Sequence, residues 1–368
     1  MMKRLYFASI LCLLCCMTGK AQEKSWLLRA LGSVKKYIDS SAVRGIDSLY
    51  IVIPERPWQV VTKYNMNQMR LEMNTHFGGK EDQFELNLEP RLKTHLAHNV
   101  GLWFGYRGYG LGYSKGIGPQ SGSYFSIGIT GSSYGANLRL RTFSTDKTEL
   151  HMWGNGLEEI NDGAPFDMTE ESDLDNAIRV RSLIIDGYYL FNGKHFSYMA
   201  AYDQSAIQIR SAGSFLVGAM WHNTSIRYND DRNAAFISLM HDIGVVTIRQ
   251  GNIGAGYSYN WVPFKGMLVN ALFMPMLTLY NKQEIELYEC YVSEGDGTED
   301  DKIEYSESAY KTSNPTLTVN ARLSLTYNWK RCYFNVYGQF NHFHYDHDEA
   351  GSGSINDWYV NASMGVRF

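Results

Sequence analysis

The chain ends Trp358-Tyr359-Val360-Asn361-Ala362-Ser363-Met364-Gly365-Val366-Arg367-Phe368, and the reading of this stretch decides the fold. Successive side chains of a strand point to opposite faces. Trp358, Val360, Ala362, Met364, Val366 and Phe368 therefore share one face, and Tyr359, Asn361, Ser363, Gly365 and Arg367 share the other. A strand of about 9–11 residues crosses an outer membrane with one face to lipid and one to the lumen. The apolar face, closed by a C-terminal aromatic, is expected to be the signal read by barrel-assembly machinery. The competing reading is the edge strand of a soluble sandwich. Recurrence of the pattern upstream favours the barrel.

Working outward, Leu317, Val319, Ala321, Leu323, Leu325, Tyr327 and Trp329 alternate with Thr318, Asn320, Arg322, Ser324, Thr326 and Asn328. Lys330-Arg331 turns this strand into Phe334, Val336 and Phe340. Ile253 to Trp261 alternates in the same way, and Val262-Pro263-Phe264-Lys265 turns it into Met267–Tyr280. Strands are also predicted from about Met66, including Leu102–Tyr106 and Tyr109–Tyr113 joined through Arg107-Gly108, then Phe125–Ile129 and Ala136–Leu140 with Arg139 and Arg141 opposite. Asn192-Gly193 predicts a tight hairpin between strands at 178–191 and 195–203. Polar stretches at 155–176, 282–313 and 346–356 read as long loops, to be set outside, with the short turns in the periplasm. Strand parity between 213 and 246 then requires one extra strand, for which Ala234–Met240 is the candidate. The expected fold is all-β: an antiparallel transmembrane outer-membrane β-barrel of about 12 strands, with 10 or 14 as alternatives, and a short N-terminal helix.

Composition agrees. The chain has 26 Tyr and 34 Gly against 8 Pro, which suits aromatic girdles and strand bends. Mean hydropathy is −0.31, ordinarily the mark of a soluble chain, but every second residue of a barrel strand is polar. A net charge of −4 speaks against a nucleic-acid binder, which needs a basic face. Lys3 and Arg4, the apolar run Leu5–Met17 and the small residues Gly19 and Ala21 predict a signal peptide cleaved after Ala21. Cys15 and Cys16 follow Leu14 and Cys15, not the small residue that lipidation requires. Residues 22–64 are expected to form a helix over 25–39 and a proline-containing lead-in segment, periplasmic or plugging the lumen. Residues 65–368 are expected to form the barrel. Cys290 and Cys332 are expected as free thiols near opposite barrel ends.

Phe196-Ser197-Tyr198-Met199-Ala200-Ala201 and Ser211-Ala212-Gly213-Ser214-Phe215-Leu216-Val217-Gly218 resemble a Bacteroidetes family known as domain of unknown function 4421. Gly101–Tyr106, Gly254–Tyr259 and the segment around Pro57-Trp58 are similar to it as well. Met199 stands where the resemblance suggests a basic residue, and the stretch 290–305 is unusually acidic. The resemblance implies an exported, outer-membrane-type barrel and offers no catalytic residues.

Chemistry-bearing clusters are few. His342, His344 and His347, with Asp346 and Asp348, could bind Zn or Cu, but their spacing matches no closed site; a solvated strand end is the alternative. Glu294–Asp301 could hold Ca²⁺ but lacks the oxygen spacing of an EF-hand loop. A flexible acidic surface loop is the alternative there. Gly105, Gly108, Gly110 and Gly112 are not followed by the Lys-Ser/Thr of a phosphate loop, and are read as letting strands bend. His222 with Thr224 is the one neighbouring pair that a hydrolase could use, and it matches no nucleophile motif. The predicted lumen carries Asn252, Ser258, Asn260, Asn320, Arg322, Ser324, Asn335, Tyr337, Gln339 and Asn341. Amides, hydroxyls and scattered Arg suit water and neutral polar solutes, or bond to one another or to a plug.

The first expectation is a small passive channel for polar solutes in the outer membrane. The second is a non-conducting structural, adhesive or accessory-binding barrel closed by residues 25–60. An outer-membrane lipid-acting enzyme is a third reading. Expected partners are outer-membrane lipids, lipopolysaccharide and the assembly machinery, with no cofactor and no nucleic acid. Oligomeric state is left open.

Overall fold

A computed structural model describes residues 21–77, 85–94, 96–118, 122–155, 166–227, 243–289, 304–312, 315–347 and 351–368. The chain divides into two units, Met1–Arg44 and Gly45–Phe368. In the first, helix α1 spans Ala21–Val43, longer at both ends than the apolar stripe predicts. Val34 and Tyr37 on it are exposed, and no described helix is long and apolar enough to cross a membrane.

In the second unit the strands are β1 (Ile51–Val52), β2 (Trp58–Phe77), β3 (Glu85–Lys93), β4 (Ala97–Tyr106), β5 (Tyr109–Gly116), β6 (Ser123–Thr130), β7 (Tyr134–Asn155) and β8 (Phe166–Leu190). They continue with β9 (Ile207–Gln208), β10 (Ala212–Arg227), β11 (Ile243–Trp261), β12 (Met267–Glu289), β13 (Glu304–Thr312), β14 (Thr316–Trp329), β15 (Cys332–His347) and β16 (Gly351–Arg367). Twelve of them form a closed antiparallel ring in the order β2-β4-β5-β6-β7-β8-β10-β11-β12-β14-β15-β16 and back to β2. The seam pairs β16 with β2 from Ser352↔Asn74 to Arg367↔Gln59. It ends on two backbone bonds, Phe368 N–H to Trp58 O at 3.0 Å and Trp58 N–H to Phe368 O at 3.2 Å. The barrel thus begins at Trp58, earlier than the sequence boundary of 65, because Pro54 and Pro57 stop pairing only up to that point.

The outward face carries a continuous apolar band. On β16 it runs from Phe368 up to Trp358, on β2 from Trp58 to Met66 and on β14 from Trp329 to Leu317. Aromatic residues gather at its lower edge, among them Trp58, Tyr189, Tyr259, Trp261, Tyr327 and Trp329, all exposed. At the upper edge the outward residues turn polar at one level around the ring. Met66 gives way to Gln68, Leu183 to Arg181, Trp221 to Asn223, Tyr280 to Lys282, Phe340 to His342 and Trp358 to Asn356. On β12 the switch coincides with a register shift opposite Gly251 and Asn252, so that Leu279 and Tyr280 both face outward.

Above this band the wall continues. β3 bridges the upper parts of β2 and β7, and β13 pairs with β12 beyond Asn281. Where described, the stretches expected as long loops are therefore largely strand: 166–176 belongs to β8, 282–289 to β12, 304–312 to β13 and 351–356 to β16. Their charged and polar composition hides the alternation, which survives only in short runs such as Glu284-Ile285-Glu286-Leu287.

The short turns lie at the opposite end. Tyr106↔Tyr109 flank Arg107 (φ 51°) and Gly108 (φ 91°), the doubly left-handed geometry of a two-residue hairpin. β11–β12 and β14–β15 turn at the predicted sites. The connection after β8 differs from the expectation. Asn192-Gly193 is not a tight hairpin and 195–203 is not a strand. Residues 191–211 leave the wall, enter the lumen, and include a π-helical turn, Met199–Asp203, and β9. With that strand removed, β10 pairs directly with β11, and parity needs no extra strand. The Ala234–Met240 candidate lies outside the described residues.

Candidate functional site

The lumen is the candidate site, and side chains fill it at three levels. At the upper level, inward residues on neighbouring strands are apolar: Phe143, Val180, Ile226 and Val246 stand side by side across β7-β8-β10-β11, and Leu71, Ile355 and Phe343 across β2-β16-β15. All are at most 5% exposed and belong to one apolar cluster.

At the middle level charges cross the barrel. Asp186 on β8 accepts from Arg139 on β7 at 2.5 Å and from Arg322 on β14 at 2.9 Å. Asn137 Nδ2 donates to the same carboxylate at 3.0 Å. Arg141 on β7 reaches Asp357 on β16 at 2.7 Å. β14 and β16 are not neighbours of β7 or β8 in the ring, so the Arg322–Asp186 and Arg141–Asp357 ion pairs span the lumen. Amides knit the far wall: Asn320 Nδ2 donates to Asn341 Oδ1 at 2.6 Å, and Gln339 Nε2 donates to the same oxygen at 3.0 Å. Burying charge is costly unless the partners hold good geometry, and removing one partner costs more than the pair contributes. These residues act as a unit for that reason.

At the lower level the 191–211 segment forms a plug. Phe196, Tyr198, Met199, Ala200, Ala201 and Ala206 are all at most 2% exposed. Its backbone is held from the wall: Arg367 donates to the Gln204 carbonyl at 2.6 and 3.0 Å, Asn260 to the Ser197 carbonyl at 2.9 Å, and Gln59 to the Asp203 carbonyl at 3.0 Å. Arg322 also donates to the Tyr198 hydroxyl, tying the plug to the Asp186 cluster. Burial pushes the Asp203 carboxyl up from its ordinary value, against the Ser205 hydrogen bonds and the charges of Lys63 and Arg367. From below, Ile51 of β1 packs with Met199, Ala200 and Ala206, and β1 pairs with β9. The segment 191–211 therefore fills the lower lumen, with residues 46–53 packed beneath it.

A cavity of about 90 Å³ remains between plug and wall, lined in part by Lys63, Trp103, Tyr202, Arg322 and Tyr337. It has room for a few waters. Trp103 lies flat against the wall here, with Lys63 Nζ 4.1 Å above its ring. Glycines make the slot: a Cβ at Gly110 would stand 2.6 Å from both the Trp103 ring and the Phe104 carbonyl. Gly105 and Gly112 likewise make room for Trp103, and only Gly108 serves the turn. Gly110→Val is expected to destabilise the barrel by about 1–3 kcal/mol through overpacking. The urea midpoint of the folded gel band measures it.

The residues expected in the lumen are placed on the inward face: Asn252, Ser258, Asn260, Asn320, Arg322, Ser324, Asn335, Gln339 and Asn341 are at most 5% exposed, and Tyr337 is half-buried. They face protein, not a water column. On β16, Met364, Val366 and Phe368 are exposed and Trp358, Val360 and Ala362 are partly exposed. His342 and His344 point outward, and His342 Nδ1 meets Asn356 Oδ1 at 2.7 Å. The side chain of His347 and the Glu294–Asp301 run lie outside the described residues. Among the described residues no three His, Cys, Asp or Glu converge as a metal site. Cys332 is free, and Cys290 lies outside the described residues. His222 is fully buried in the lumen, stacked on Phe343 at 4.0 Å and bonded to Thr224 at 2.6 Å. Sequence reading missed Asp186, Asp357 and the plug. An acid isolated in Leu183-Ile184-Ile185-Asp186 was the available signal.

Residues 45–368 match a family profile described as Domain of unknown function (DUF4421). The chain belongs to this family. No curated protein matches the DUF4421 chain. Among solved structures it is similar to an outer membrane channel from Pseudomonas putida F1 (12% identity, 88% of this chain and 99% of that one, TM-score 0.32). It is also similar to the outer membrane protease OmpT from Escherichia coli (10%, 86% and 97%, TM-score 0.37). A third is the beta domain of the Bordetella autotransporter BrkA (9%, 85% and 100%, TM-score 0.31).

Proposed function

We propose that this DUF4421 chain is an outer-membrane barrel with a closed lumen, serving a non-conducting structural or accessory-binding role exercised at its outer end. The observation that carries this reading is the filling of the lumen at three successive levels by residues from nearly every strand. The passive channel expected from the inward amides needs a continuous aqueous path, and their mutual hydrogen bonds argue against one. Burial of His222 beneath Phe343 favours a packing role for it over catalysis.

The membrane location is supported by the apolar outward band, whose extent on β16 matches the span of about 9–11 residues that a bilayer requires. The signal-peptide pattern over residues 1–21 supports export. The full-length chain expressed in a Gram-negative host should stay in the membrane fraction after carbonate extraction and migrate faster unboiled than boiled. Release by carbonate would overturn the location. Deleting Phe368, whose backbone closes the seam with Trp58, should cut the assembled band at least fivefold. An unchanged band would argue against the C-terminal signal.

A further inference from the structure

Just above the apolar band, the outward face of β8 and β10 is strongly basic. Arg179 and Arg227 are direct cross-strand partners, and Arg181 is paired with Ser225 beside them. All three arginines are exposed, while their inward neighbours Val180, Ser182, Thr224 and Ile226 are buried. Like charges placed directly opposite destabilise a sheet, so the arrangement calls for a compensating anion. Among the described side chains, the direct cross-strand neighbours on either side do not supply one. Ser144 and Thr142 face Arg179 and Arg181 on β7, and Val245 faces Arg227 on β11. Glu284, opposite Thr247, is already held by Arg249 at 2.8 Å and by Lys282. Height matters too. Arg181 stands one pleat repeat, about 7 Å, above Leu183 at the top of the apolar band. That is the level of lipid headgroups, at the end away from the short turns. Guanidinium forks match phosphate oxygens bidentately, and Asn223 and Ser225 add neutral polar groups alongside.

We infer that Arg179, Arg181 and Arg227 form a phosphate site for the phosphorylated glycolipid headgroup, lipid A, of the outer leaflet. The inference rests on the outer-membrane reading. The test uses the full chain, processed by its host, purified in detergent and titrated with bisphosphorylated lipid A, with retained lipid counted by native mass spectrometry. The triple variant R179A/R181A/R227A should retain at least tenfold less lipid A than the wild type. The wild type should bind lipid A stripped of its phosphates at least tenfold more weakly. Equal retention by the triple variant, equal binding of the dephosphorylated lipid, or equal binding of phosphatidylglycerol would overturn the site. Should the triple variant not reach the folded gel band, the comparison of lipids on the wild type decides alone. Carbonate release of the wild type would overturn the membrane reading, and the site with it. A membrane-embedded wild type without phosphate dependence would overturn the site only.

Discussion

Asp186→Ala is expected to lower the stability of the folded barrel by about 3–5 kcal/mol, the cost of leaving buried cations without their counter-charge. The carboxylate is 3% exposed and is shared by Arg139 and Arg322, themselves 8% and 5% exposed. Its removal leaves guanidiniums from two sides of the lumen facing each other with no anion between them. Pairing Asp186→Ala with Arg322→Met should recover part of the loss, since one stranded charge goes with it. The urea midpoint of the heat-modifiable gel band, read for single and double variants, measures both effects. A loss under about 1 kcal/mol in the single variant would mean that water already solvates the arginines, which a packed lumen forbids.

The second large effect concerns the plug. Replacing residues 196–208 with a short Gly-Ser linker should leave assembly intact, because none of them belongs to the ring strands. It should open the lower lumen. Ser363 is 4% exposed, faces inward on β16 and lines the cavity beside the plug. In a background lacking Cys290 and Cys332, Ser363→Cys should react with a water-soluble maleimide on the order of 100-fold faster once the plug is gone, equivalent to about 2.7 kcal/mol of lost protection. Equal rates would mean that the segment does not shield the lumen.

The alternation of Trp358–Phe368 and of Leu317–Trp329 made the barrel legible, since each spans the band and has one face to an apolar surround. The same rule reads poorly above the band, where charged and polar residues dominate and alternation is confined to short runs such as Glu284-Ile285-Glu286-Leu287. It failed in the plug for another reason. Phe196-Ser197-Tyr198-Met199-Ala200-Ala201 is apolar and follows Asn192-Gly193, so local pattern alone suggests a hairpin. Only tertiary bonds from Arg322, Arg367 and Asn260 draw it inward. The inward polar residues were identifiable by face, but facing inward does not distinguish a wet lumen from a bonded one. That difference rests on reach across the barrel, as between Arg141 and Asp357, which no sequence spacing encodes.

Planar-bilayer recording of the refolded, detergent-purified mature protein tests the closed lumen most directly. Insertion, verified by heat-modifiable mobility of the same sample, should occur without unitary current steps. Reproducible unitary steps from the intact protein would contradict the account, for they require a continuous aqueous path where Phe143, Ile226, Asp186 and Tyr198 now pack.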